Sequence, residues 1–161
     1  MISIEHVSKR FGRVLALNDI SLHISAGERV AFVGSNGSGK TTLLRALLGL
    51  SRVSGSIQIA GHSVAAHPEL ALAHVAYVPQ IAPPLDAPVS EVVAAYAALR
   101  GIGVQLIAAK ATVMGLALPE LASVRFRDLS GGMKQKLLAA LALAAPATIL
   151  VCDEPTSNLD A

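Results

Sequence analysis

The chain has almost no cysteine and lacks tryptophan. Its 161 residues include no tryptophan and one cysteine, Cys152. A single cysteine excludes an internal disulfide and a metal site built on several cysteines. Cys152 lies within an apolar run, and because free cysteine is usually buried we expect its thiol in the core. The five histidines have no metal-ligand spacing, and we expect them at the surface or at strand edges.

Charged residues are also scarce. They make up 15% of the chain, the formal net charge is +2, and lysine and arginine form no block. This balance argues against a nucleic-acid partner. Hydrophobic residues make up 53%, which is typical of a globular protein with some surface that another protein covers.

Long uninterrupted apolar runs are missing. The start, "MISIEHVSKRF", has no apolar region after a basic one, so no secretory signal is predicted. The longest apolar stretch, residues 137–152, is interrupted by Pro146 and Thr148 and is too short to cross a bilayer comfortably. It predicts a helix followed by a buried strand. We expect a soluble, cytoplasmic chain unless a partner holds it at a membrane.

Hydrophobic periodicity predicts strands that alternate with helices. Residues 2–7 and 20–24 alternate apolar and polar side chains, as half-buried strands do. The continuous apolar segment "RVAFVG", 29–34, predicts a strand buried on both faces of a parallel sheet. Further strands are predicted at 56–61, 74–80 and 148–154, and helices at 41–50, within 90–122 and at 133–145. This order predicts an α/β fold with a mainly parallel sheet and a strand-free helical insertion at 81–128.

A glycine-rich loop follows the predicted strand at 29–34. It matches the pattern G-x-x-x-x-G-K-[ST] and comprises Gly34, Ser35, Asn36, Gly37, Ser38, Gly39, Lys40 and Thr41. Glycines let the backbone curl so that successive N–H groups surround phosphate oxygens, and the following helix adds the positive end of its dipole. Lys40 is predicted to reach the β- and γ-phosphates, and the Thr41 hydroxyl to bind Mg²⁺.

An acidic pair, Asp153 and Glu154, ends the last predicted strand. In open α/β sheets, ligands bind at the carboxyl ends of the strands. One carboxylate there can hold Mg²⁺ through water, and its neighbour can take a proton from an attacking water. Together with the loop at 34–41, the pair predicts a magnesium–triphosphate site.

Five segments resemble the motifs of the ATP-binding-cassette (ABC) ATPases, in the family's order. They are Phe11, upstream of the phosphate loop where the family carries an aromatic that stacks on adenine; "YVPQ" (77–80), similar to the glutamine loop; "LSGGMKQK" (129–136), similar to the signature motif; "ILVCDEP" (149–155), similar to the Walker B strand; and "SNLD" (157–160), similar to the D-loop. The resemblance covers essentially the whole chain. Met133 departs from the glutamine that often follows "LSGG".

The resemblance implies the cofactors ATP and Mg²⁺ and a role for each matching residue. Glu154 would be the general base, assisted by Lys40 and Gln80. Thr41, Gln80 and Asp153 would complete the metal shell. The remaining nucleotide contacts would come from Phe11, the loop residues 34–41 with Thr42, and, toward ATP on another cassette, Ser130, Gly131 and Gly132.

The resemblance also implies partners and a domain plan. Two cassettes would bind head to tail, and a transmembrane permease subunit would place a coupling helix against the glutamine loop and the insertion, holding the chain on the inner face of the membrane. A single P-loop NTPase-type domain with an N-terminal antiparallel part would comprise 1–80 (β-subdomain and phosphate-loop core), 81–128 (helical subdomain) and 129–161 (signature helix, Walker B strand and D-loop).

The family continues beyond the D-loop with a histidine-bearing strand that lies between the phosphate-loop strand and the Walker B strand. We therefore expect the 161 residues to be an N-terminal portion or a truncated product that, alone, folds poorly and hydrolyses ATP slowly or not at all. The leading function is ATP hydrolysis that drives transport. Two alternatives remain: a soluble ABC ATPase of translation or DNA repair, although 40–129 contains no coiled-coil heptads, and a nucleotide-binding fragment without turnover.

Overall fold

Two long strands open the chain in a computed structural model that describes residues 1–154. A short turn at Gly12 joins them, and together with two later strands they form an antiparallel sheet of order β2-β1-β3-β4. The strands are β1 (Ile2–Phe11), β2 (Val14–Ile24), β3 (Ser54–Ile59) and β4 (His62–Ser63). Ile2 lies opposite Ile24 on one side and Ile59 on the other. The strands predicted at 2–7, 20–24 and 56–61 are confirmed.

Two helices accompany this sheet in the first compact unit, Met1–His74. They are α1 (Lys40–Leu47) and α2 (Pro68–Ala73). Helix α1 buries Leu43, Leu44, Ala46 and Leu47, while Arg45 is exposed, so its apolar residues form one face. The chain leaves α1 through Gly49, whose φ of 70° is in the left-handed region that glycine adopts without strain. The predicted helix end near Gly49 is confirmed.

The strand predicted at 29–34 is absent. These residues form no strand and are largely exposed, with Val33 at 93% and Val30 at 48% of full exposure. A strand buried on both faces requires hydrogen-bonded neighbours on both sides. None of the strands in residues 1–154 pairs with this segment. The prediction of a buried strand at 29–34 is therefore wrong for the described residues, because the pairing that would bury this apolar segment is not made among them.

The second compact unit begins at Val75 and contains a parallel strand pair and a helical insertion. Strands β5 (Val75–Val78) and β6 (Ile149–Cys152) pair in parallel. Between them lie α3 (Val89–Arg100), α4 (Val104–Val113), α5 (Leu118–Leu121), a 3-10 turn (Phe126–Asp128) and α6 (Gly131–Ala144). Residues 81–128 contain helices and one isolated bridge, Pro88–Arg125, but no strand, as predicted. The predicted subdomain boundaries at 80 and 128 stay a prediction, and the predicted D-loop, 157–160, lies outside the described residues.

Helix α3 has clear start and stop signals. Pro88 precedes it, and Gly101 ends it in the left-handed conformation with φ 64°. Glu91 in the first turn and Arg100 in the last turn complement the helix dipole. Arg100 also donates a 2.6 Å hydrogen bond to the carbonyl of Val75, which joins the end of α3 to the start of β5.

The core of the second unit lies between the helices. Phe126, Ile107, Leu137 and Val89 are almost completely buried and pack with residues of α3, α4 and α6. A smaller cluster, Ala76, Val78 and Ala142, packs β5 against α6. Helix α6 therefore contacts the helical core on one side and the parallel strands on the other.

Cys152 is exposed, so the prediction that its thiol lies in the core is wrong. Of the four residues of β6 only Val151 is buried, and Leu150 is 49% exposed. Within residues 1–154, strand β6 pairs only with β5, so its other edge has no strand partner there. Partial desolvation still raises the pKa of the Cys152 thiol above its ordinary value.

Within residues 1–154, no single helix is long and apolar enough to cross a membrane. The pair α3 and α4 meets that requirement only jointly, with a bend of 120° between them. Both helices contribute side chains to the buried core cluster.

Leu137 offers a test of this core. It is fully buried on α6, and Leu137→Ala should lower the free energy of unfolding by about 2–5 kcal/mol through lost burial and the cavity left behind. Leu99→Ala is the matched control, because Leu99 is helical and 80% exposed, and should change stability by less than about 0.5 kcal/mol. Urea unfolding of the full-length gene product measures both, and equal effects would contradict the described core.

Candidate active site

The phosphate loop leads directly into α1 with no side chain capping the helix. Gly39 is the residue before the helix, with φ 95°, and no side-chain hydrogen bond caps the first turn. The first N–H groups of an α-helix have no partner within the helix. They therefore remain available to an anion, and the helix dipole favours negative charge at the same place.

Gly39 is required by the space around it as well as by its backbone angle. A Cβ atom built there would lie 2.4 Å from the carbonyl oxygen of Ala16 on β2. No other residue fits without moving β2, since the neighbour is backbone rather than a flexible side chain. This close approach holds the end of the loop against the antiparallel sheet.

Lys40 lies over its own loop. Its ammonium donates hydrogen bonds to the carbonyl oxygens of Gly34 at 2.7 Å and Ser35 at 3.0 Å. The loop is also closed by a backbone bond from Ser38 N to Ser35 O at 3.2 Å. The Lys40 ammonium is thus held against the loop, close to the start of α1, where an anion would bind.

The other residues of the first unit that are predicted to contact nucleotide or Mg²⁺ are at least partly exposed to solvent. Thr41 is exposed and Thr42 is half-buried at the start of α1. Phe11 ends β1 and is 54% exposed, with the Lys9 ammonium 5.1 Å from its ring centre. An exposed aromatic face of this kind can stack on a base.

The second half of the candidate site lies where β5 and β6 end. Val78 pairs with Cys152, and Asp153 N donates a 3.0 Å hydrogen bond to the carbonyl of Val78. Asp153 is buried, with 9% of its surface exposed. Asp153 thus lies at the carboxyl end of a parallel strand pair, which is where ligands bind in open α/β sheets.

Gln80 and Glu154 contact each other just beyond these strand ends. The Gln80 side-chain amide donates a 2.5 Å hydrogen bond to the Glu154 carboxylate. Glu154 has φ 45°, in the left-handed region that costs a non-glycine residue energy. The structure thus brings together the predicted general base and the glutamine predicted to assist it.

The signature residues, 130–132, form the start of α6. The Ser130 hydroxyl oxygen accepts a 3.2 Å hydrogen bond from Met133 N and caps the helix. Ser130 and Gly131 are exposed, and Gly132 is half-buried. Because the serine oxygen accepts from the backbone, its hydroxyl proton remains able to donate to a ligand.

Each compact unit contains a different part of the predicted site. Phe11 and residues 34–42 belong to the first unit, and Gln80, the acidic pair and the signature residues belong to the second. The contact between Gln80 and Glu154 is made within one unit. Convergence of the phosphate loop with the acidic pair on one nucleotide stays a prediction.

Sequence analysis missed one feature of the second unit. Gln135, on α6, is 2% exposed and donates a 3.1 Å hydrogen bond to the carbonyl of Pro79. A second feature was predicted only as a segment, the insertion where the family resemblance places a coupling helix. The structure has an apolar groove of about 530 Å³ there, which we call the α3 groove, lined by residues that include Tyr77, Leu85, Val92, Tyr96, Leu99 and Leu138.

Comparison with known proteins gives a consistent result along the chain. The family model described as ABC transporter matches residues 17–157. Nod factor export ATP-binding protein I of Burkholderia lata is 39% identical over 167 residues, covering 99% of this chain and 54% of that protein. Zinc import ATP-binding protein ZnuC of Cereibacter sphaeroides is 38% identical over 161 residues, covering 99% and 61%.

Solved structures give the same result for the fold. An ATP-binding subunit of an ABC transporter superposes with a TM-score of 0.86 at 26% identity, covering 99% of this chain and 68% of that one. A bacterial Atm1-family ABC exporter with ATP bound superposes with a TM-score of 0.85 at 29% identity, covering 99% and 30%. The predicted α/β class is thereby confirmed.

The chain spans about half the length of the Nod factor export relatives that it matches. The family match nevertheless covers most of the described residues, from β2 through β6, and includes the phosphate loop, the glutamine loop and the signature helix. On this evidence the chain belongs to the ABC transporter family.

Proposed function

We propose that this chain binds MgATP and hydrolyses it to drive transport through a membrane-embedded partner. The observation that carries the proposal is the phosphate loop, which opens onto an uncapped helix start with Lys40 beside it. The family membership and the relatives named for export and import support the coupling to transport.

Nucleotide binding would use the first unit. The α1 N–H groups and the loop amides would donate to the phosphate oxygens, and the Lys40 ammonium would exchange its two loop carbonyls for phosphate. Phe11 would stack on the base. The carboxylate, hydroxyl and amide oxygens of Asp153, Thr41 and Gln80 are the donor types that Mg²⁺ prefers. Bound Mg²⁺ would offset the charge on the β- and γ-phosphates.

Hydrolysis would use the second unit. Glu154 would take a proton from a water whose oxygen attacks the γ-phosphorus. The bond from that phosphorus to the bridging oxygen breaks, and ADP and phosphate leave. Gln80, already hydrogen-bonded to Glu154, would orient the attacking water and share in the metal shell.

Two partners follow from the same assignment. Ser130 and Gly131, which are exposed, and the half-buried Gly132 would face the γ-phosphate on a second cassette, as a serine hydroxyl and glycine amides at a helix start can do. The α3 groove would receive an apolar helix of the permease, because it lies between α3, the irregular loop 81–88 and α6. That docking would hold the chain at the cytoplasmic face of the membrane.

Lys40→Ala should weaken MgATP binding about ten- to a hundredfold, because it removes the charged donor predicted to reach the β- and γ-phosphates. Isothermal titration with MgATP measures the change. Lys110→Ala, on α4 of the second unit, removes a lysine with no predicted role in nucleotide binding; it is the matched control and should bind normally. Unchanged affinity in the Lys40 variant would refute the assignment of the phosphate loop.

Glu154→Gln should lower turnover about a hundredfold or more while retaining ATP binding, because the amide cannot accept the proton from water. Phosphate release and nucleotide binding are measured on the same preparation. Glu120→Gln, an exposed change on α5, serves as the control. Turnover at the normal rate in the Glu154 variant would exclude this residue as the base.

Leu99→Glu should weaken association with the membrane partner about tenfold or more, since it buries an unpaired charge in the apolar α3 groove. Nucleotide binding should be unchanged. Val113→Glu is the matched control, because Val113 is 81% exposed on α4 and does not line the groove. Co-purification from membranes measures the association. Retention of the Leu99 variant in the complex would show that the groove is not the docking surface.

A further inference from the structure

One buried amide connects the signature helix to the loop that carries Gln80. Gln135 lies in the second turn of α6, only five residues after the capping Ser130. It and Asp153 are the buried polar side chains of residues 1–154. Because burying an amide without partners costs energy, a glutamine in this position requires a hydrogen bond there.

The partner of that amide is the residue before Gln80. Gln135 Nε2 donates to the carbonyl oxygen of Pro79 at 3.1 Å. Pro79 directly follows β5, and its ring restricts φ, so a bond to its carbonyl restrains the peptide that leads into Gln80. Gln80 in turn donates to Glu154. An unbroken series of contacts therefore runs from α6 through Pro79 and Gln80 to the predicted base.

We propose that Gln135 is a positioning residue for hydrolysis, which acts through the Pro79 carbonyl to set the orientation of Gln80 against Glu154. This inference rests on the proposed function, since it concerns the same site. It also assigns α6 two roles. The helix would present Ser130 to a partner cassette, and Gln135, five residues later, would hold the glutamine loop. A movement of α6 would thus change the geometry around Glu154.

The test uses the full-length protein assembled with its membrane partner. Gln135→Met keeps the length and volume of the side chain but has no donor, and it should lower kcat for ATP hydrolysis about tenfold. KM for ATP should stay within about twofold, because the phosphate loop is untouched. Gln105→Met, an exposed glutamine on α4, is the matched control and should leave both constants unchanged.

A double variant separates positioning from a general structural effect. If Gln135 acts through Gln80, then Gln80→Ala with Gln135→Met should be no slower than Gln80→Ala alone. Normal kcat in Gln135→Met, a rise in KM with unchanged kcat, or additive losses in the double variant would overturn the proposal. Gln135→Glu, whose ionised side chain also lacks a donor, provides a second variant. If neither variant folds, Gln135 serves folding rather than positioning, and the proposal is wrong.

The Lys40→Ala variant distinguishes failure of this inference from failure of the proposed function. If Lys40→Ala abolishes hydrolysis while Gln135→Met does not slow it, only the role of Gln135 is refuted. If the protein shows no hydrolysis that depends on Lys40, the proposed function itself fails, and the role of Gln135 fails with it.

Discussion

The parallel register of β5 and β6 is the constraint on which the second half of the site depends. Val78 pairs with Cys152, and the Asp153 N–H closes the ladder on the Val78 carbonyl. Gln80 and Glu154 each lie two positions after the last paired residue of their strand. Both therefore lie at the same, carboxyl end of the strand pair. This register places the two residues close enough for the Gln80 amide to donate its 2.5 Å hydrogen bond to the Glu154 carboxylate. A slip of one residue would turn the side chains of β6 to the other face of the strand pair and would separate Glu154 from Gln80.

Helix α6 supports that edge from a second direction. Its start presents Ser130 and two glycines, its second turn holds Pro79 through Gln135, and its later residues pack on both the helical core and β5. Most residues of α6 are buried or half-buried, so the helix is closely packed within the second unit. One helix therefore carries both the signature residues, which are predicted to face ATP on a partner cassette, and Gln135, which contacts the loop beside Glu154. In the proposed role of Gln135, a displacement of this helix would reach the glutamine loop through that contact.

The features that could be predicted from the sequence are those that depend on local residues. The alternation of β1 and β2, the glycine pattern before Lys40 and the end of α1 near Gly49 each follow from neighbours within a few positions. The strand at 29–34 and the burial of Cys152 were predicted wrongly, because both depend on strands that must pair alongside them. Gln135 was missed for a related reason. The buried residues of α6 include Leu137, Ala140, Leu141 and Ala142, which spread around the helix, so periodicity defines no polar face on which an amide would stand out.

The charged groups predicted to act in catalysis are each held by neutral partners in this structure. The Lys40 ammonium donates to two loop carbonyls, and the Glu154 carboxylate accepts from the Gln80 amide. Neither side chain has to be ordered when a ligand binds, because each is already held by a hydrogen bond that a ligand can replace. Exchanging one hydrogen bond for another costs little net free energy, whereas ordering a free lysine or glutamate side chain costs about 1.5–2 kcal/mol of entropy. Glu154 holds this position with a left-handed backbone, φ 45°, which costs a non-glycine residue energy. In the proposed function, nucleotide binding is therefore an exchange of partners around prepositioned charges.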